Sequence, residues 1–300
     1  MTSHRTAPGT AAENARGALL MVVAMLAFAF EDLFLKRAAT ALSAGQVMAM
    51  MGAAGATLFW GLALYRGDPI LSRHAFHPAA LTRSLSEAVA SVFYLIALTL
   101  IPLSMNAALL QASPLAVTFG AAIFLREPVG WRRWTAITLG FVGVLVILRP
   151  GTDGFTPAGL LTVFCVLVLT ARDLSTRVMP ATISTLQLAT WAYLALIPTG
   201  LVLMWAQGTP AQAVSPRYWG DLSGAVLTGI FGYYAVTAAM RKGDVSVVAP
   251  FRYVRLVFVV ILAMVFLSET PDTATLAGSA LIIGSGLYSF WRETVRRKRR

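Results

Sequence analysis

Long apolar runs alternate with short polar segments along the whole chain. Each run is about 20 residues long, the length with which an α-helix crosses the hydrocarbon core of a bilayer. Charged residues or Gly and Pro mark the ends of the runs, which cover residues 17–38, 44–65, 80–101, 104–125, 131–149, 158–178, 184–206, 220–240, 245–268 and 273–291. The pattern predicts ten transmembrane helices in an all-α polytopic membrane protein.

The second half of the chain repeats the pattern of the first. Glu-Asp-Leu-Phe-Leu-Lys at 31–36 returns as Arg-Asp-Leu-Ser-Thr-Arg at 172–177, and Glu-Pro at 127–128 returns as Glu-Thr-Pro at 269–271. The offsets of 141 and 142 residues predict two five-helix repeats, residues 1–150 and 151–300. Five is an odd number, so the second repeat is inverted in the membrane. Inverted repeats of this kind place a substrate near the bilayer midplane.

Composition excludes a water-soluble fold and gives the basic residues a different meaning. The chain is 57% hydrophobic and 12% charged, with a mean hydropathy of +0.72 and a net charge of +11. In a soluble protein that charge would suggest a nucleic-acid partner. With the N-terminus inside, however, 16 of the 24 basic residues lie on the inner side, 4 on the outer side and 4 within the spans. The bias predicts a bacterial inner-membrane protein with both termini cytoplasmic.

The polar segments contain no pattern typical of an enzyme. The only cysteine is Cys165, and His74 and His77 form half of a metal site without a third ligand, so we expect neither a metal nor another cofactor. No nucleotide-binding loop and no nucleophile elbow occur. The basic tail at 296–300 is interpreted as a contact with anionic lipid rather than with nucleic acid. Oligomeric state leaves no signal in the sequence.

Two segments carry a family resemblance. Each begins with a polar or proline-containing apolar stretch, continues to a Glu-containing turn and ends in a glycine-containing run, at 106–115, 126–128 and 140–144 and again at 249–258, 268–269 and 284–286. They resemble the EamA repeat of the drug/metabolite transporter superfamily, most closely its amino-acid exporters of the YddG type. The resemblance implies a carrier that exports aromatic and other neutral amino acids, or related small metabolites, by alternating access. Its alternatives are an importer of a nucleotide-type metabolite and a drug exporter.

Eight charged residues lie within the spans, where an unpaired charge is costly and marks a pair, a cavity or a pathway. They are Glu31, Asp32, Arg83, Glu87, Arg172, Asp173, Arg252 and Arg255. Asp32 and Lys36 lie four residues apart, as do Asp173 and Arg177, so both aspartates are predicted to pair within their own helices. Glu127 and Glu269 are predicted to cap the helices that follow them, and Pro114 and Pro250 to act as hinges.

Depth along the helices divides the remaining candidates into two levels. At 1.5 Å per residue, one group lies about 10 Å from the cytoplasmic edge and another lies in the outer third of the bilayer. We expect a gate formed by Glu87, Arg172, Arg252 and Arg255, and a substrate cavity lined by Glu31, Tyr94, Gln111, Tyr233, Tyr234 and Tyr253. A zwitterion needs both an acceptor and donors, which Glu and Arg supply. For each of these residues, structural ion pairing is the alternative.

Overall fold

The computed structural model describes residues 10–70, 72–127, 129–180, 182–242 and 244–298. Within them there are helices and no strands. The helices are α1 (Ala11–Ala38), α2 (Ala44–Arg66), α3 (Pro78–Leu100), α4 (Leu103–Leu110), α5 (Ser113–Phe124), α6 (Trp131–Leu148), α7 (Gly159–Arg177), α8 (Thr185–Gln207), α9 (Pro216–Lys242), α10 (Val245–Val248), α11 (Val254–Leu267) and α12 (Thr273–Lys298). In the described part of the chain, ten helical segments are long and apolar enough to cross a membrane, which confirms the predicted count.

Side chains at the helix termini explain several boundaries. Thr10 and Ser184 form capping boxes with Glu13 and Gln187, in which each side chain satisfies a backbone N–H of the other. His77 accepts from the N–H of Ala79 through Nδ1 and so caps α3. The side chain of His74 lies outside the described part.

Helices of the first half pack along helices of the second half. α1 runs antiparallel to α9, α2 to α8, α3 to α7 and α6 to α12. Glycines allow these close approaches: a Cβ on Gly45 would lie 2.6 Å from the carbonyl oxygen of Gly200, and one on Gly143 would lie 2.7 Å from that of Gly278. Backbone contact at small residues replaces the hydrophobic effect as a source of cohesion between helices in lipid. The fold is therefore an interdigitated bundle rather than two separate units.

The turns after α5 and α11 have the same backbone geometry. Arg126 and Ser268 adopt left-handed conformations with φ of 52° and 55°. The N–H groups that follow them, of Glu127 and Glu269, donate to the carbonyls of Ala121 and Ala263 at 3.2 Å and 3.1 Å. Each bond joins residues six apart across a left-handed residue, one residue more than the corresponding bond of a Schellman motif. The equivalent turns present Glu127 and Glu269 at opposite ends of the bundle.

Neither glutamate caps the helix that follows it, so that prediction is wrong. Glu127 forms an ion pair with Arg177 at 3.0 Å, whereas Glu269 accepts from the N–H of Leu103 at 2.7 Å and so caps α4 in the other half. The first turn of α12 is capped by Asp272, which accepts from the N–H of Thr275 at 2.8 Å. In the folded chain, the helix N-terminus nearest to Glu269 belongs to another repeat.

Two spans are interrupted, one near its middle and the other near its start. A turn at Gln111–Ala112 separates α4 from α5, and the 3₁₀ segment Ala249–Tyr253 separates α10 from α11. Pro114 and Pro250 lie beside these interruptions, where a missing N–H breaks the helical hydrogen-bond ladder. The side-chain amide of Gln111 donates to the carbonyl of Tyr253 at 3.0 Å and joins the two interruptions.

The two ends of the bundle differ in packing. We call the end where α1 and α3 finish the Lys36 end, and the end where α5 and α7 finish the Arg177 end. At the Lys36 end α4 packs on α11, and Leu98, Ile101 and Leu103 are fully buried. Among the described residues, α5 has no comparable contact with α10, α11 or the 3₁₀ segment. Among the described residues, the Lys36 end is therefore the more tightly packed end of the bundle.

Candidate functional site

A buried carboxylate on α1 forms the first polar cluster in the interior. Asp32 is 2% exposed and accepts three hydrogen bonds from the guanidinium of Arg255 on α11, with N···O distances of 2.7, 2.8 and 3.1 Å. The hydroxyl of Tyr94 on α3 also donates to Asp32. Arg255 lies over the ring of Phe28, 5.4 Å from its centroid. A bidentate pair with a further donor compensates for much of the cost of burying the two charges.

Asp32 does not pair with Lys36, contrary to the prediction from their spacing. The ammonium of Lys36 donates to the carbonyls of Leu98 and Ile101 at 2.6 Å and 2.7 Å. Pro102 has no N–H to offer the carbonyl of Leu98, so Lys36 supplies the missing donor. Arg255 therefore belongs with Asp32 and Tyr94 and not with the group of Glu87 and Arg172.

The second cluster joins α3 to α7. The guanidinium of Arg172 contacts both carboxylate oxygens of Glu87 at 3.0 Å and 3.1 Å and also pairs with Asp173 at 2.8 Å. Arg172 and Glu87, which depth arithmetic placed at one level, are thus in direct contact. Asp173 does not pair with Arg177, so the second predicted pair within a helix is also wrong. The function of this cluster as a gate stays a prediction.

Three charged side chains of the spans, Glu31, Arg83 and Arg252, have no ion-pair partner among the described residues, and Arg83 donates to the carbonyl of Leu188 at 3.3 Å. Within the described part of the chain, Arg252 makes no hydrogen bond or ion pair, although it lies within electrostatic range of Asp173 and Arg172 and is exposed. Glu31 is half-buried, and its carboxylate likewise makes no hydrogen bond to a described residue. Glu31 and Arg252 therefore have charges that no described residue neutralises by an ion pair.

The position of Glu31 explains why its carboxylate is unpaired. Glu31 lies against Gly229 of α9, where a Cβ would approach its Oε1 to 2.5 Å. Its repeat equivalent is Arg172, and Gly229 lies 142 residues after Glu87, so the equivalent contact in the other half is the Arg172–Glu87 ion pair. Glycine supplies no side chain, so the symmetry of the contact is preserved while the ion pair is lost.

The tyrosines that were expected to line the cavity lie in different environments. Tyr253 is 4% exposed and packs against Gly286 and Phe290, so only its backbone carbonyl reaches the interior. Tyr234 is 65% exposed and shares the outer apolar face of α9 with Leu227 and Phe231, so it also does not line the site. Tyr233 packs edge-to-face on Phe59 with centroids 5.5 Å apart, between α9 and α2. Of the predicted tyrosines, only Tyr94 reaches the ion pairs.

Sequence reasoning missed Asp32 and Asp173 as members of the site. Each has a basic residue four positions later, which is a sufficient partner on one helix. For Asp32 the signal in the sequence is Pro102. It leaves the carbonyl of Leu98 without a helical donor, and this carbonyl competes with Asp32 for Lys36.

The chain belongs to the EamA-like transporter family. The family model matches it twice, over residues 15–149 and 157–291. The protein is therefore a multi-pass membrane transporter of the drug/metabolite superfamily, a class that acts on small molecules.

Three relatives with different substrates resemble this chain. A riboflavin transporter of Rhizobium johnstonii is 28% identical, over 95% of this chain and 93% of that protein. An S-adenosylmethionine uptake transporter of Rickettsia felis is 28% identical, over 65% of this chain and 66% of the relative. A pseudopaline exporter of Pseudomonas aeruginosa is 25% identical, over 89% and 93%. These names include both uptake and export, so neither the amino-acid substrate nor the YddG-type resemblance is shown.

A solved crystal structure has the same fold. It superposes with a TM-score of 0.63 at 17% sequence identity, covering 92% of this chain and 97% of that one. At this identity the match supports the architecture and nothing finer.

Proposed function

We propose that the protein is a secondary transporter that exports amino acids, or related small zwitterionic metabolites, across the bacterial inner membrane by alternating access. The observation that carries this proposal is that Glu31 and Arg252 have no ion-pair partner among the described residues, whereas the neighbouring Asp32–Arg255 and Glu87–Arg172 pairs are formed. A carboxylate accepts from a substrate ammonium, and a guanidinium donates to a substrate carboxylate with two parallel hydrogen bonds.

The direction and orientation are part of the same proposal. The positive-inside bias places the Arg177 end and both termini in the cytoplasm. The weaker packing between the helices at that end supports a state that would load a substrate for export. Uptake would use the same states in the reverse order.

A second candidate is uptake of a larger ring-bearing metabolite. It is favoured by the relative named as a riboflavin transporter, which aligns over 95% of this chain. Phe59, Tyr193 and Tyr233 form an aromatic cluster between α2, α8 and α9, with neighbouring centroids 5.4 Å and 5.5 Å apart, against which a ring could pack.

Transport into proteoliposomes tests these candidates. The purified protein is reconstituted and given radiolabelled neutral and aromatic amino acids, riboflavin and S-adenosylmethionine, with and without a pH gradient. We expect uptake of at least one amino acid and roughly a tenfold loss or more with Arg252→Gln and Glu31→Gln, since each removes a charge-assisted contact. Arg217→Gln, at the exposed start of α9, is the matched control.

Two results would count against the proposal. Absence of uptake for every amino acid would overturn the substrate class, and uptake of riboflavin alone would favour the second candidate. Amino-acid uptake that is unchanged in both Arg252→Gln and Glu31→Gln would overturn the assignment of the site.

A further inference from the structure

The turn between α3 and α4 is held by one charged residue from each half of the chain. Lys36, at the end of α1, donates to the carbonyls of Leu98 and Ile101 at 2.6 Å and 2.7 Å. Glu269, in the turn after α11, accepts from the N–H of Leu103 at 2.7 Å. Neither residue uses its charge on an ion pair within the described chain; both charges act on backbone groups of the same turn.

The electrostatics of helix ends explains why these two residue types fit this turn. The last carbonyls of α3 and the first N–H groups of α4 lack intrahelical partners. A cation is favourable beside the C-terminus of a helix and an anion beside the N-terminus. Lys36 and Glu269 satisfy both ends at once, and they hold α4 where it packs on α11 and closes the Lys36 end.

The opposite end of the bundle contains the repeat equivalents of both residues in a different arrangement. Arg177 corresponds to Lys36, and Glu127 corresponds to Glu269. They pair with each other at 3.0 Å, and their side chains are 45% and 47% exposed. In the described part of the chain, neither makes a hydrogen bond to the turn between α9 and α10, which is the equivalent of the α3–α4 turn.

That second turn is bound to a different element. The N–H of Asp244 donates to the side chain of Asn14 at 2.7 Å, and the amide of Asn14 donates to the Asp244 carboxylate at 3.1 Å. Asn14 belongs to α1, along which α9 packs. The α9–α10 turn therefore stays with α1 and away from Arg177 and Glu127.

We propose that Lys36 and Glu269 form a latch that closes the Lys36 end, and that Arg177 and Glu127 form the equivalent latch of the Arg177 end. When the Lys36 end opens, Lys36 and Glu269 release the α3–α4 turn. When the Arg177 end closes, Arg177 turns to the carbonyl of Met240, and Glu127 accepts from the N–H of Val245. These backbone groups are the equivalents of the Leu98 carbonyl and the Leu103 N–H.

The latch rests on the alternating access proposed above, but it does not depend on which substrate is carried. In this state one latch is engaged and the other is not, which is the arrangement expected of a carrier open at one end. The four residues are positioning residues: they set the balance between two states and do not contact the substrate.

Distances between spin labels at the two ends test the latch without any substrate. In a Cys165→Ala background, one label pair is placed at Leu100 and Thr270 and a second at Val178 and Val247, all of them exposed. Pulsed electron–electron double resonance then measures the distance within each label pair. The first distance reports opening at the Lys36 end and the second reports opening at the Arg177 end. The variants are Lys36→Met, with Lys36→Arg as the conservative control, and Arg177→Met, with Arg177→Lys.

Opposite responses are the expected result. Lys36→Met should raise the ratio of long to short Leu100–Thr270 distances roughly tenfold or more, since two charge-assisted hydrogen bonds are lost, and should shorten the Val178–Val247 distances. Lys36→Arg should restore the short Leu100–Thr270 distances. Arg177→Met should leave those distances short and remove any closed population at Val178–Val247.

Two outcomes would overturn the latch. The first is that Lys36→Met remains monodisperse and keeps the short Leu100–Thr270 distances. The second is that Lys36→Met and Arg177→Met change both label pairs in the same direction, which is what a merely structural role predicts. If Lys36→Met does not fold, Glu269→Gln replaces it: it should shift the Leu100–Thr270 distances in the same direction by a smaller amount, and an unchanged distribution would overturn the proposal.

Discussion

Gln111 and Tyr253 occupy equivalent positions in the two halves, 142 residues apart, and are joined by a hydrogen bond of 3.0 Å. The side-chain amide of Gln111 donates to the backbone carbonyl of Tyr253, the N-cap residue of α11. The bond lies where both interrupted spans meet, on the local symmetry axis of the bundle. It links the two interrupted spans directly.

Removing this bond should destabilise the fold modestly. For Gln111→Leu we expect a loss of about 0.5–1.5 kcal/mol, because the hydrogen bond between the two interruptions is removed. Thermal unfolding in detergent, followed by intrinsic fluorescence, measures the change. Gln207→Leu, at the exposed end of α8, should be near neutral; an equal effect in both variants would contradict the assignment.

The Asp32–Arg255 pair should show strong coupling in a double-mutant cycle. Asp32→Asn or Arg255→Met alone leaves one buried charge unpaired, which costs about 3–5 kcal/mol. The double variant removes both charges, so it should be much less destabilised than the sum of the two. Equilibrium unfolding in mixed micelles gives the three free energies. Additive losses would show that the two side chains do not depend on each other.

The α3–α7 cluster predicts unequal effects of its members. Arg172→Gln leaves both Glu87 and Asp173 without a cation, whereas Glu87→Gln leaves Arg172 paired with Asp173 at 2.8 Å. We therefore expect a larger loss of thermal stability for Arg172→Gln than for Glu87→Gln. A reversed order would mean that Glu87, and not Arg172, holds the cluster together.

Gly229 should be required for transport more than for folding. A methyl group at this position would lie 2.5 Å from Oε1 of Glu31, so Gly229→Ala displaces the free carboxylate. We expect folded protein with amino-acid uptake reduced roughly tenfold or more, as for loss of a charged contact. Gly232→Ala, which meets the ring of Phe28 at 2.9 Å, is the matched control for packing. Equal transport by the two variants would remove Glu31 from the proposed site.

The sequence predicts the spans much better than it predicts the pairing of charges. Span length is set by bilayer thickness, so the apolar runs are sufficient to find all ten helices. Depth along the helices placed Glu87 and Arg172 at one level, and they are in contact. The partner of Asp32, however, depends on which helix of the other repeat lies nearest.

Local spacing misleads where the fold offers a better partner. Lys36 does not pair with Asp32, because its ammonium donates to the carbonyls of Leu98 and Ile101 in the α3–α4 turn. Tyr253 and Tyr234 fail as cavity residues because the 3₁₀ segment and the face of α9 rotate their side chains away from the interior. Neither effect is visible without the positions of neighbouring helices.

We propose that Glu31 and Arg252 recognise the two charges of a zwitterionic substrate. The most direct test is competition against uptake of a transported amino acid by three forms of one compound: the free amino acid, its N-acetyl derivative and its methyl ester. We expect strong competition by the free amino acid only. Glu31→Gln should lose discrimination against the N-acetyl form, and Arg252→Gln should lose discrimination against the methyl ester. Equal competition by all three forms in the unmodified protein would contradict it.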